Sequence, residues 1–500
     1  MNRIKQYYTK NPLTVILAVA FIARLVSVLF ARGYGMHDDH FLIIETSRSW
    51  ASGFDFQGWL GDSPQGHSFT YPLLMYVLFK CLMFLGIENL DVQMYFVRLI
   101  HALLSLLTIL FSYRIVMRTS NDKRQANITG WILAVLWCMP WLSVRNLVEM
   151  VCMPFMVWAT WIYVRNENPR TKDLIYSAVL TAVAFAFRFQ VIFFIGGMGL
   201  SMLIHKQWKN AVVWTVSLLV MFSLTQLSDV FIWHKPFAEM QQYVLYNFFH
   251  SGQYPQGGFF KYFGVLAGVL LPPVSIMLLF GFFYNWKKLY LFLPSFCFLL
   301  FHSIFPNKQE RFIFPIIPFV VMLGVMGCRD FLITHPLNVK WRKAVKVCVV
   351  ISLVLNFVLL VPVTVHYSKK SRVESMAYMA HYRPNVKSFI YEDTPNEDFE
   401  RMPRIYTLQN CTQINVMTKD SCQADTNVAF VLFADGVNLN ERVANMKKYY
   451  PELQYDTVFK PSFIDALMRK INRHNRNYSY FVYRNGEVQP YQPRQNAPKP

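Results

Sequence analysis

The chain has 500 residues, of which 54% are hydrophobic and 16% charged, and its formal net charge is +20. Apolar runs of about 20 residues, the length that crosses a bilayer as a helix, recur through the first 366 positions. The positive charge does not indicate a nucleic-acid partner, because the basic residues cluster in short loops between these runs. The composition therefore predicts a protein that spans a membrane many times.

The apolar runs predict helices, because they are continuous and only helices or closed barrels satisfy the backbone in lipid. The first run, residues 12–31, has basic flanks and no small-residue cleavage site, so it predicts a retained span. The predicted fold class is an all-α polytopic membrane protein with a small C-terminal α/β soluble domain. About eleven spans are expected, centred near residues 22, 106, 136, 156, 180, 197, 221, 273, 297, 322 and 355.

The loop charges predict the orientation, since Lys and Arg in short loops favour the cytoplasmic side. Arg3, Lys5 and Lys10 place the N-terminus in the cytoplasm. Counting residues 69–86 as a span would place the basic residues of 114–124 outside, so 69–86 is predicted to be a juxtamembrane helix at the outer face. The C-terminal domain is then outside the cytoplasm. It lies in the periplasm if this is a protein of the bacterial inner membrane, or in the lumen if it is a protein of the endoplasmic reticulum.

One polar cluster interrupts the apolar sequence within residues 301–319. A charged residue at a helix centre costs roughly 2.5–3.5 kcal/mol, so such a cluster belongs at the membrane boundary, paired or facing water. An ordinary polar loop between two spans explains it equally well. Its members are His302, Asn307, Lys308, Gln309, Glu310 and Arg311.

This stretch resembles the His-Lys-Glu-x-Arg-Phe … Pro-x-x-Pro signature of glycosyltransferase family 22. These are the polyprenyl- or dolichyl-phosphate-mannose-dependent mannosyltransferases of the GT-C superfamily. Asn307 and Gln309 depart from the signature at its His and its Glu. The resemblance covers residues 1–366 and implies a GT-C fold. The matching positions are Lys308, Arg311, Phe312, Pro315 and Pro318.

The first outer loop resembles the same family. Its members carry an Asp-Glu pair, a second Glu seven residues after the Asp, and later a Tyr-Pro before an apolar helix. Asp38-Asp39, Glu45 and Tyr71-Pro72 stand in that order here. The resemblance implies that Asp38 is the catalytic base, with Asp39 in the place of the Glu. A shift of the alignment by one residue exchanges the two roles.

The expected reaction needs one carboxylate and a basic clamp. The carboxylate takes the proton of an acceptor hydroxyl, and Arg is suited to hold the charge of a departing polyprenyl phosphate. No cofactor is expected, and no metal, since the run His37–His40 offers two His and two Asp without further ligands. The candidate phosphate contacts are Lys308, Arg311 and Arg188, and the supporting candidates are Glu45, Arg145, Glu149, His302 and Glu310.

Structural roles stay open for some of these candidates. Arg145 and Glu149 are four residues apart, so on one helix they would share a face, as a structural ion pair or as part of the site. Arg188 closes a span, where a long basic side chain also reaches the interface without having a function.

The composition changes after residue 366, which predicts a transmembrane domain over 1–366, an α/β domain over 367–488 and a disordered tail over 489–500. Short runs of β-forming residues alternate with amphipathic helical patterns in the second of these domains. The predicted strands are 389–391, 405–408, 429–433 and 480–483, and the predicted helices are 439–449 and 463–473.

The resemblance implies a membrane mannosyltransferase that inverts the configuration at the anomeric carbon. Its donor would be a polyprenyl- or dolichyl-phosphate-linked sugar and its acceptor a lipid-linked glycan or a surface glycoconjugate. A transporter or flippase of lipid-linked sugars is a second possibility, since it would bind phosphate through the basic cluster without chemistry. A polymerase or ligase of surface polysaccharide is a third, and it would not need the Asp38 region.

Overall fold

The computed structural model describes residues 2–488 and 490, except for 62, 254–255, 383, 398, 408–410, 419–426 and 473–474. The chain forms two compact units. The first contains Met1–Ala31, Gly58–Leu78 and Met94–Val365. The second contains Arg32–Gln57, Phe79–Gln93 and His366–Pro500, so it combines part of the first loop with the C-terminal region.

Helices account for almost all regular structure before residue 366. They are α1 Asn2–Lys10, α2 Pro12–Phe30, α3 His37–Asp39, α4 Thr46–Ala51, α5 Thr70–Phe84, α6 Leu90–Ser120, α7 Lys123–Val135, α8 Met139–Leu142, α9 Val148–Val164, α10 Thr171–Phe187, α11 Ile192–Ile204, α12 Trp208–Thr225, α13 Leu227–Trp233, α14 Ala238–His250, α15 Lys261–Val269, α16 Val274–Tyr284, α17 Leu289–Ile304, α18 Ile317–Thr334 and α19 Val339–Thr364. A π-helix, His40–Glu45, joins α3 to α4, and a 3₁₀ helix, Glu310–Ile316, leads into α18.

Five helices are long and apolar enough to cross a membrane within the described part of the chain, or six if the bent pair α16–α17 is one span. Three shorter apolar helices add to these, among them α5 within the predicted juxtamembrane stretch. All but two of the predicted span centres lie in helices; residue 136 falls between α7 and α8, and residue 273 between α15 and α16. The number of spans and their orientation stay predictions.

Glycines bring helices of the first unit into backbone contact. A Cβ on Gly281 of α16 would lie 2.2 Å from the carbonyl oxygen of Gly324 in α18, and one on Gly327 would lie 2.0 Å from that of Gly281. A Cβ on Gly197 of α11 would lie 2.5 Å from the carbonyl oxygen of Leu293 in α17. Small residues are the usual means of close helix packing in lipid, where burial of apolar surface gives little driving force.

One buried arginine joins three helices of the first unit. Arg24 of α2 is fully buried and donates through Nε to Ser105 of α6 at 2.7 Å. It also donates to the carbonyl oxygens of Ala134 and Leu133, at 3.0 and 3.3 Å, in the last turn of α7. The last carbonyl oxygens of a helix have no hydrogen-bond partner within the helix. Arg24 supplies them with donors, and they in turn satisfy its buried guanidinium group.

The C-terminal part of the second unit is an α/β domain. Its sheet has the order β2-β1-β3-β5-β4, with β1 parallel to β2 and β3, and with β5 antiparallel to β3 and β4. Strands β1 and β3 are buried along their whole length, because helices cover both faces. The elements are α20 Lys370–Met379, β1 Ser388–Glu392, β2 Thr412–Val416, β3 Val428–Ala434, α21 Leu439–Lys447, β4 Leu453–Phe459, α22 Phe463–Ile471 and β5 Tyr480–Asn485.

Most elements predicted for this domain are confirmed, and one is wrong. The predicted strand 405–408 is a 3₁₀ helix, Arg404–Thr407, in which Tyr406 N–H donates to the carbonyl of Pro403 at 3.2 Å. Residues 408 and 473, at the ends of two predicted elements, and most of the predicted disordered tail 489–500, lie outside the described residues. Strands β2 and β4 were not predicted.

Candidate active site

Three predicted site residues meet in the first unit, each at a helix end. Glu149 lies in the first turn of α9, Arg188 caps the C-terminus of α10, and Arg311 lies in the 3₁₀ helix before α18. Arg188 Nη1 donates to Glu149 Oε1, and Arg311 Nε lies 3.8 Å from the same oxygen. One buried carboxylate thus holds two guanidinium groups, and the helix N-terminus favours its negative charge.

The Arg188 side chain has donors to spare. It is about 5% exposed, and its guanidinium lies 4.9 Å from the ring centroid of Phe312. Its Nε and Nη2 have no hydrogen-bond partner among the described residues. A buried donor without a partner costs about 1–3 kcal/mol, and more when charged. Such a group is therefore suited to receive an anionic ligand.

Lys308 holds the loop that carries the sequence signature. Its ammonium donates to the carbonyl oxygens of Ser303 and His302, which leaves one of its three donors. Burial, and then the neighbouring Lys261, lower the pKa of Lys308. Lys261 itself donates to the carbonyl of Lys308 at 2.7 Å and pairs with Glu310 at 3.2 Å. Lys261 was not predicted as a site residue, although it is a basic residue at the start of an apolar helix.

The remaining candidates of this unit have structural contacts. His302 of α17 is buried, and its ring stacks on that of Phe298 at a centroid distance of 4.2 Å. The Nδ1 atom of His302 also contacts the backbone carbonyl of Phe298. Arg145 lies in the turn before α9, with its guanidinium 4.4 Å from the Trp141 ring centroid. Arg145 and Glu149 do not share a helix, because α9 begins at Val148.

The first loop places its carboxylates in the second unit, on α3 and the π-helix that follows. Asp38 is exposed and Asp39 is 4% exposed, so the carboxylate open to an external hydroxyl is that of Asp38. The next residue, His40, is fully buried and stacks on Tyr34 at 4.2 Å. π-Helices recur at functional sites, and this one begins directly after the Asp pair.

Glu45 ties this helix to the C-terminal domain inside the second unit. It is fully buried, and it accepts hydrogen bonds from the backbone N–H of Ile405 and the side chain of Gln57, both at 3.0 Å. Burial raises its pKa to about 7, against the opposing charges of Arg404 and Arg401. Glu45 therefore fixes the π-helix to the backbone at Ile405, a contact that its place in the family pattern did not reveal.

A second carboxylate, that of Glu400, also links the first loop to the C-terminal domain. Glu400 of the C-terminal domain lies 3.6 Å from Nδ1 of His37, the residue before Asp38, and pairs with Arg372 at 2.5 Å. Burial would raise the pKa of Glu400, but His37 and the Arg372 charge outweigh it and leave that pKa lowered. Neither Glu400 nor Arg372 was predicted, because only the folded chain brings them beside the first loop.

The raised pKa of Glu45 predicts a pH dependence of stability. The folded pKa exceeds the usual 4.5, so the carboxyl stabilises the fold fully below about pH 4.5 and loses this contribution as pH rises through about 7. The loss is about 3 kcal/mol for a shift of this size. We expect the Tm of the detergent-solubilised protein to fall less steeply over this window in Glu45→Gln than in the native chain. Equal slopes in the two proteins would contradict it.

No group of three or more His, Cys, Asp or Glu that could hold a metal ion occurs among the residues that the structure describes. The first unit holds the Glu149, Arg188 and Arg311 cluster with the Lys308 loop, and the second unit holds the Asp38 helix.

Comparison with known protein families identifies the family of this chain. The sequence pattern of the Alg9-like mannosyltransferase family matches residues 15–413. The chain belongs to this family. The match extends into the C-terminal domain, beyond residue 366, where the predicted resemblance ended. No curated protein matches the chain significantly.

Solved structures show the GT-C fold. ArnT from Cupriavidus metallidurans, in its structure bound to undecaprenyl phosphate, superposes with a TM-score of 0.63 at 14% identity, over 96% of this chain and 99% of ArnT. The oligosaccharyltransferase AglB from Archaeoglobus fulgidus, in complex with an inhibitory peptide and a dolichol-phosphate, gives 0.52 at 10% identity, over 91% and 74%. The mycobacterial arabinofuranosyltransferase AftD gives 0.54 at 13% identity, over 96% of this chain but 40% of AftD. The chain is a GT-C glycosyltransferase and an integral membrane protein.

Proposed function

We propose that this glycosyltransferase transfers mannose from a polyprenyl- or dolichyl-phosphate donor to a lipid-linked glycan or surface glycoconjugate, with inversion and without a metal. The reaction would take place on the outer or lumenal face of the membrane. The observation that carries the proposal is the buried Glu149, Arg188 and Arg311 cluster, in which Arg188 has donors with no hydrogen-bond partner among the described residues. The lipid phosphates bound by ArnT and AglB support the same donor chemistry.

Arg188 and Arg311 are the proposed main phosphate contacts. A guanidinium offers two parallel N–H donors to a phosphate, and burial strengthens each contact. Glu149 keeps both groups in place while leaving the cluster with a positive excess, to which Lys308 adds its remaining donor. As the bond between the anomeric carbon and the phosphate oxygen breaks, this charge stabilises the leaving polyprenyl phosphate.

Asp38 is the proposed general base. Its exposed carboxylate takes the proton of the acceptor hydroxyl as the hydroxyl oxygen forms its bond to the anomeric carbon. Glu45 and Glu400 fix the helix that carries Asp38 to the C-terminal domain, so that domain has a proposed role in positioning the base.

Sugar transfer by the purified protein tests this proposal. Polyprenyl-phosphate mannose would be supplied with a panel of lipid-linked glycan acceptors, with and without a chelator. Transfer that survives the chelator, with inverted stereochemistry in the product, would support the proposed reaction. Tight binding of the donor without turnover on any acceptor would contradict it and favour a transporter of lipid-linked sugars.

A further inference from the structure

Helix α22 of the C-terminal domain exposes its apolar face, whereas an ordinary surface helix buries it. Its sequence is FIDALMRKI, and at about 100° per residue its five large apolar side chains fall within one arc of about 140°. This arc points away from the domain: Phe463 is 81% exposed, Ile471 72%, Leu467 44% and Met468 43%. Exposed apolar patches of this kind mark protein or membrane contacts.

Two polar side chains of α22, those of Asp465 and Arg469, face the domain instead. Asp465 is 4% exposed and accepts a hydrogen bond from Asn477 at 3.0 Å. Arg469, one turn later, pairs with Asp435 and lies 4.4 Å from the ring centroid of Tyr478. The helix is thus held by polar contacts, and its apolar face is left without a partner in the chain, as far as the structure describes it.

Helix α21 of the same domain shows the ordinary arrangement. Val443 and Met446 of α21 pack into the core cluster formed with strands β1 and β3, while Lys447 is exposed. The exposed apolar face of α22 is therefore not a general property of this domain.

The contacts of α22 connect it to the point where the chain leaves the last membrane span. Helix α19 ends at Thr364, and only 6% of its most apolar window is buried in the protein. Two residues later, His366 lies 3.4 Å from both Asp465 and Ser462, at the start of α22. The backbone N–H of Lys369 also donates to Asp465 at 2.8 Å.

The residues after α2, another helix long and apolar enough to cross a membrane, contact the same segment. The backbone N–H of Ser368 donates to the carbonyl of Arg32 at 3.2 Å, and Arg32 follows the end of α2 by two residues. The start of α22 thus contacts the segment that follows directly on the end of α19, and this segment contacts the residues after α2; both helices are long and apolar enough to cross a membrane.

We propose that α22 is an interfacial membrane helix, whose apolar face enters the lipid of the leaflet at which α2 and α19 end, and which anchors the C-terminal domain to that surface. The exposed Lys460 and Lys470 flank the apolar face and suit contact with lipid phosphates. This anchoring does not depend on the proposed sugar or acceptor.

Photo-crosslinking of the full chain tests the lipid contact directly. A benzophenone amino acid would replace Leu467 in one protein and the exposed Lys447 of α21 in the other, both in phosphatidylcholine nanodiscs. After irradiation, intact mass should show a lipid adduct at position 467 and none at 447. An adduct of a second protein chain at 467, or equal lipid labelling at both positions, would overturn the proposal.

A triple variant, Phe463→Ser/Leu467→Ser/Ile471→Ser, gives an independent test by hydrogen exchange in the same nanodiscs. The changed side chains are exposed, so β1 and β3 should keep their protection and report an intact domain. Amides of α22 should exchange at least about tenfold faster than in the native chain, because the lipid contact no longer holds the helix. Unchanged exchange of α22, with β1 and β3 still protected, would overturn the proposal.

Discussion

Replacing Asp38 with asparagine is expected to reduce sugar transfer by about 10²–10⁴-fold, the usual contribution of a positioned general base. Asparagine has nearly the same shape but takes no proton from the acceptor hydroxyl. Because the proposed donor contacts come from Arg188, Arg311 and Lys308, donor affinity should stay within about twofold of the native value. Turnover would be measured with polyprenyl-phosphate mannose, and affinity from the dependence of Tm on polyprenyl phosphate concentration.

Asp39→Asn is the matched control for this prediction. Asp39 is the neighbour of Asp38 on α3 but is only 4% exposed. Replacing Asp39 should therefore lower Tm clearly and turnover only slightly. The reverse result, with turnover lost in Asp39→Asn and kept in Asp38→Asn, would assign the base to Asp39. Native turnover in both variants would contradict a base in this loop.

Asp38 and Glu45, two of the three first-loop carboxylates in the family pattern, differ in burial. Asp38 is exposed, whereas Glu45 is fully buried and accepts the N–H of Ile405, 360 positions away. The sequence order placed both in one loop but contained no sign of the partner. The same bond explains the wrong strand at 405–408, because the N–H of Ile405 is directed to a carboxylate instead of a neighbouring strand.

Local pattern predicted the helices and the buried strands, since both depend on continuous apolar runs. Strands β2 and β4 were missed because each is partly exposed and mixes polar with apolar residues, as in TQINV and LQYDTVF. The contact of Glu149 with Arg188 was missed for another reason. Arg188 lies 39 positions away and is brought close by the packing of α9 on α10, which local spacing does not reveal.

Arg188→Met is expected to weaken both folding and donor binding, and the double variant Arg188→Met/Glu149→Gln separates the two effects. Removing one member of a buried ion pair costs about 3–5 kcal/mol, because the partner charge stays buried. Glu149 keeps Arg311 at 3.8 Å, which places the expected loss at the lower end of that range. The double variant removes the carboxylate left facing the lost guanidinium, but it also takes the 3.8 Å contact from Arg311, so it should recover part of the native Tm.

Donor affinity should not recover in that double variant. If Arg188 holds the donor phosphate, its loss removes charge-assisted hydrogen bonds of about 1.5–3 kcal/mol, so affinity for polyprenyl phosphate should fall by about 10- to 100-fold in both variants. Glu149→Gln alone is the control, since it keeps both arginines and a side-chain oxygen that can still accept from Arg188, so its affinity for the lipid phosphate should stay well above that of the double variant. If the double variant regains native affinity along with its Tm, Arg188 acts on the fold alone and the phosphate contact belongs to Arg311 or Lys308.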